Sequence, residues 1–159
     1  MPLSTVGFNG DKVVEIADQL FDLPEAKMSK SRTEGGWSRK QILGHLIDSA
    51  SVNHQRIIES QLSDSIEFEG YKHERWVELA GYQEMEWEEI VTMWCAYNMQ
   101  MCTLVERIPL DVLDQLHEKH SYDRTAFREL SADTPSTLGY LIEDYFAHVQ
   151  YHLDQIFES

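Results

Sequence analysis

With 159 residues, 42% of them hydrophobic and 26% charged, the chain is long enough to close one globular core without disulfide staples. Its charge is less ordinary: 28 acidic side chains against 13 basic ones leave a net charge of −15 and a pI near 4.7. That balance argues against binding nucleic acid, because a general grip on phosphate backbones needs clustered Lys and Arg, and against an anionic membrane surface for the same reason. The first ten residues lack the basic start and apolar core of a secretory signal. No apolar run approaches the roughly 20 residues needed to span a bilayer. The two cysteines, Cys95 and Cys102, fall on one predicted helix about 10 Å apart along its axis, too far to pair with each other. A cytoplasmic location is expected, and the whole chain, 1–159, reads as a single domain.

Residues 11–23 predict a first helix, with Val13, Val14, Ile16, Ala17, Leu20 and Phe21 as its apolar stripe and Pro24 as its stop. Residues 26–36 read as a polar loop ending in the Gly35-Gly36 pair. A second helix opens after Ser38, whose hydroxyl and Gln41 three residues on form a capping-box signature, and continues through Ile58. Residues 62–83 predict a crossover with a short helical piece at 74–79, pinned by Tyr71, Trp76 and Tyr82. A third long helix is expected over 84–107, its acidic start suited to a helix N-terminus. After Pro109 a short turn at 110–115 and a polar loop carrying His117 and His120 follow; Asp133-Thr134-Pro135 is expected to start the last helix. Four long amphipathic helices with one long crossover between the second and third describe an all-α four-helix bundle.

The last helix holds the most informative pattern. Leu138, Leu141, Ile142, Tyr145, Val149 and Ile156 repeat at helical spacing, and His148 and His152 interrupt the same stripe. Residues four apart share a face with Cβ atoms roughly 5–6 Å apart, so both rings can point at one ion. On the second helix Ile42, His45, Leu46, Ser49, Asn53 and Arg56 share a face that is polar for a core, with Gly44 allowing close approach by a neighbour. His45 is therefore the candidate third ligand.

These residues carry a resemblance. Trp37-Ser38, the run His45 to Ala50, Asn53-His54-Gln55-Arg56, and Leu141 to Tyr145 followed by His148, His152 and Gln155-Ile156 resemble the DinB/YfiT-like superfamily, metal-dependent enzymes built on a four-helix bundle. The resemblance spans nearly the whole chain, more loosely from Tyr71 to Trp94. It implies one metal ligand from the second helix and a His-x3-His pair from the fourth, which match His45, His148 and His152. Many relatives carry a further histidine where this chain has Tyr151. The resemblance implies a hydrolase or a thiol-dependent transferase acting on a small molecule, and with the four tryptophans it suggests a homodimer.

The chemistry follows from the donor set. Three neutral imidazoles leave the charge of a dication uncancelled and a coordination position open, as in catalytic zinc sites. That position can lower the pKa of a water to about 7 or accept a low-molecular-weight thiol as thiolate. Zinc, nickel, iron and manganese all suit imidazole ligands. Asp48 and Asp144 lie three and four residues from a ligand, where either could hold a ring's second nitrogen, and Asp144 could also serve as a base. A non-catalytic metal or small-molecule binding module would use the same ligands. Asn53 and Arg56 are expected to form a buried structural pair, and His54, His73, His117 and His120 to lie on the surface or in loops.

Overall fold

The computed structural model describes residues 7–158. In chain order its helices are α1 (Gly10–Phe21), α2 (Glu25–Met28), α3 (Arg39–Ser60), α4 (His73–Ala80), α5 (Trp87–Glu106), α6 (Leu110–Asp114), α7 (Tyr122–Thr125) and α8 (Leu138–Phe157), with a 3-10 turn at Tyr82–Glu84. Among the described residues no strand forms, only isolated bridges between loops. The four long helices, α1, α3, α5 and α8, make the expected bundle, with the crossover running between α3 and α5.

Local chemistry explains where each long helix begins. The Asn9 side chain accepts from Lys12 N at 2.8 Å to cap α1. At α3 the capping box closes in both directions, Gln41 N donating to Ser38 Oγ and Ser38 N to Gln41 Oε1. Thr137 Oγ1 accepts from Tyr140 N to start α8. That start lies later than the one expected from Asp133-Thr134-Pro135, because Ser136 is held in an extended bridge to His117. The start of α5 is also displaced: residues 82–84 turn as a 3-10 helix, and Glu86 becomes the N-cap, with Glu88 and Glu89 in the first turn. The loop expected at 26–36 is helical over its first residues, as part of α2.

The core explains the order of the helices. Val13, Ile16, Ala17 and Leu20 of α1 pack on α5, whose Trp87 Nε1 donates to Leu20 O at 2.7 Å. The third helix lies against α5 on one side and α8 on the other. Phe8, just before α1, stacks on Phe146 of α8 with ring centroids 4.8 Å apart, closing the ring of helices. Burying α3 on two sides explains why its internal face is unusually extensive, and why polar groups on that face must find partners.

Beyond α3, the two long connections are knitted together. Ile66 N donates to Lys119 O at 3.1 Å, and Ser121 N to Ile66 O at 3.0 Å. His117 and Ser136 exchange backbone hydrogen bonds of 2.7 and 3.0 Å. His117 and His120, expected on the surface or in loops, do lie in a loop, but one that is buried, at 6% and 4% exposure.

Candidate metal centre

Helix α3 places His45 on its buried face between Ile42 and Leu46, and α8 brings His148 and His152 opposite it on adjacent turns. One ring nitrogen from each of the three lies within 4.8 Å of the others. His45 Nε2 and His148 Nε2 are 3.1 Å apart. Two nitrogens on one tetrahedral metal at about 2.0–2.1 Å would sit roughly 3.3 Å apart, so the observed spacing already fits a shared ion. The rings meet edge to face, with centroids 4.7 to 5.0 Å apart.

Burial sets their protonation. It lowers the pKa of His45 to about 2, with further depression from His148, His152 and His73. Burial likewise lowers His148 to about 3, followed by the effects of His152 and His73. His152 is also lowered by burial, against a hydrogen bond to Gln155 that raises it. Three imidazoles held neutral keep their lone pairs available, which is the state a metal ligand needs. For His152 the orientation is fixed as well. Its Nδ1 lies 2.7 Å from Gln155 Oε1, an arrangement in which Nδ1–H donates and Nε2 is left as the acceptor. His45 Nδ1, by contrast, is buried with no hydrogen-bond partner among the described residues.

The expectation that Asp48 or Asp144 orients a ligand ring is corrected by their partners. Asp48 Oδ1 accepts from Tyr82 Oη at 2.7 Å, and burial raises the Asp48 pKa against that hydrogen bond. Its other oxygen, Oδ2, is buried and unpartnered. Gly44 makes this contact possible: a Cβ there would stand 2.1 Å from the Tyr82 ring, so the close neighbour is a tyrosine rather than a helix. Asp144 accepts from Phe127 N at 2.8 Å and Arg128 N at 2.7 Å, with Arg128 Nε at 3.4 Å. It thus holds the 126–128 segment over the site. The expected Asn53–Arg56 pair is also absent. Asn53 Nδ2 donates to Ser49 O, whereas Arg56 Nη2 donates to Glu69 O.

A cavity of about 240 Å³ opens beside the histidines, between α3 and α8, roofed by segments around Tyr71 and Phe127. Tyr71 and His73 form part of its wall and stack on each other at 4.1 Å. His73 also lies 5.2 Å from His45, centroid to centroid. The sequence assigns Tyr71 a packing role; His73 is exposed as expected, yet one side of it faces the cavity. Both sit in the crossover, whose approach to α3 has no helical period to announce it. Tyr71 stays neutral at ordinary pH, its pKa pushed up to about 12 by burial and then by the Asp48 charge.

The class is therefore an α-helical bundle with a three-histidine centre able to hold a metal ion, of which His148 also lines a cavity. The sequence profile of the DinB superfamily matches residues 11–156, and the chain belongs to that superfamily. Among solved structures it is similar to YfiT from Bacillus subtilis, described as a probable metal-dependent hydrolase with an unusual four-helix bundle topology. The TM-score is 0.68 at 15% identity, over 92% of this chain and 83% of that one. No curated protein matches the chain.

Proposed function

We propose that the protein is a metal-dependent hydrolase of small molecules, with His45, His148 and His152 as the ligands of one divalent transition metal. The observation that carries the reading is the convergence of three neutral imidazoles from two helices, one of which, His148, also lines the neighbouring cavity. The description of the YfiT structure as a probable metal-dependent hydrolase is consistent with it. A divalent metal supplies a Lewis acid and a nucleophile active at neutral pH. The chain supplies the rest. Gln155 fixes the His152 tautomer. Asp144 positions the Phe127 wall, and Tyr82 with Asp48 braces α3 behind His45. The Tyr71 hydroxyl, kept protonated, is a hydrogen-bond donor for a substrate oxygen. Zinc, nickel, iron and manganese are all suited to the donor set.

The test is elemental analysis of protein purified without nickel resin, followed by an ester and amide panel. The expected result is about one metal ion per chain, as the donor set requires, and turnover that disappears with chelator and in His45→Ala. Turnover only with an added low-molecular-weight thiol would reassign the protein as a thiol-dependent transferase. Metal without turnover on either panel would make it a binding module.

A further inference from the structure

We propose that the cavity selects substrates bearing an anionic oxygen group, a carboxylate or a phosphate, and that Arg56 is the residue that pairs with it. This rests on the metal-centre reading and extends it to the other end of the cavity.

Arg56 is 7% exposed and forms part of the cavity wall. Among the described residues it has no carboxylate partner; every ion pair in the molecule involves other cations. One of its nitrogens, Nη2, donates to Glu69 O at 2.8 Å, and its guanidinium lies 5.3 Å from the centre of the Phe68 ring. Those contacts hold the group in place and leave the other donors of the fork for a ligand. A buried charge is costly unless it is paired. Arginine does not escape that cost by losing its proton at neutral pH, although burial does lower its pKa.

The cavity wall does not neutralise it. Asp144 is the one acid among the lining residues, and its oxygens are taken by Phe127 N and Arg128. Arg124, at the same wall, is ion-paired with Asp123 at 3.6 Å, which leaves Arg56 as the lining cation without a carboxylate partner. Position adds a length requirement. His45, Ser49, Asn53 and Arg56 share one face of α3. The first and last Cα atoms are separated by roughly 16 Å of helical rise, and the arginine side chain leans back toward the helix N-terminus. The ligand therefore has its reacting group at the histidines and its oxyanion at the Arg56 guanidinium, and the chain length between them is the quantity to be measured.

The test uses zinc-loaded protein and matched probes: monohydroxamates of glutaric, adipic, pimelic and suberic acid, their methyl esters, and the corresponding ω-phosphonates. Hydroxamate binds the metal, so the esters report the metal centre alone. Calorimetry should show the acid or the phosphonate of one chain length binding about tenfold or more tighter than its ester, the range of a charged hydrogen bond. In Arg56→Gln that preference should vanish while zinc content and ester affinity hold, and Arg56→Lys should restore only part of it. A gain confined to the phosphonates narrows the group to phosphate. If the esters need zinc but no anionic end improves on them at any length, the Arg56 assignment is overturned and the metal centre stands. If no probe binds better with zinc than without, the metal reading itself fails, and this inference with it.

Discussion

Two pairs of histidines, one buried and one half-buried, divide this molecule between scaffold and chemistry. His117 and His120 stand three residues apart in the connection after α6, and His148 and His152 stand four apart on α8; each pair has a spacing compatible with a metal. In the first pair the nitrogens are engaged by the backbone. His117 Nδ1 faces Asp64 O at 2.9 Å, while His120 Nε2 faces Thr134 O at 2.7 Å and its Nδ1 accepts from Tyr122 N at 3.1 Å. In the second pair, together with His45, the nitrogens converge on each other. Burial alone therefore identifies neither role. What separates them is whether the ring nitrogens face backbone partners or one another.

Exchanging the two losses should give opposite phenotypes, and these are the largest effects expected. His148→Ala removes a ligand and should abolish stoichiometric metal binding, measured by elemental analysis. It should also abolish the loss of melting temperature on chelation, an effect of about 2.7 kcal/mol when metal stands at about 100 times its Kd. His120→Ala should leave metal content intact but strand the buried Tyr122 N, at about 1–3 kcal/mol for a buried group left unpaired. Denaturant melts of the metal-free proteins isolate that second effect. A His120→Ala protein that loses its metal while still folded would erase the distinction.

Much of the bundle could be read in advance because helices announce themselves locally. The Ser38–Gln41 capping box and the α8 stripe from Leu138 to Ile156 depend on residues only a few positions apart, and the structure has both. His45 was also legible, since a polar residue on an apolar helical face needs a reason. The roles of His117, His120 and Tyr82 depend instead on partners 53, 14 and 34 residues away. No spacing rule encodes such partners: the pinning role of Tyr82 and the loop placement of His117 and His120 are legible in the sequence, and the hydrogen bonds that bury them are not. Pro135 misled for a related reason: the pairing of Ser136 with His117 outweighs its aptitude for a first helical turn.

Gln155 offers a finer probe of the same contrast, because it is the one side chain seen to orient a ring of the convergent set. Gln155→Ala keeps every ligand but frees the His152 ring to change tautomer. Loss of such an outer partner typically weakens metal affinity about 10–100-fold. A competition titration with a chromogenic chelator measures it, and unchanged affinity would mean that packing against His45 and His148 alone fixes the ring.

Acid supplies the smallest and most diagnostic effect. The pKa values of His45, His148 and His152 are all lower in the folded protein than the ordinary value of 6.5. The unfolded chain therefore binds protons near pH 6 that the folded chain refuses. Their contribution to stability is present above pH 6.5 and is lost as pH falls from there toward the folded values. Each group contributes a slope of up to about 1.4 kcal/mol per pH unit in that window. The acidic surface works in the opposite direction, since acidification relieves the self-repulsion of a chain of net charge −15. The raw pH profile thus mixes two signs, and a difference between proteins separates them. Urea melts of metal-free wild type and His148→Gln at pH 7.5 and 5.5 should show the wild type losing about 1 kcal/mol more on acidification, because the variant carries one fewer depressed imidazole while keeping the same surface charge. Equal losses would mean that His148 takes up its proton in the folded state as readily as in the unfolded one, through a local opening of α8 that the buried geometry does not provide.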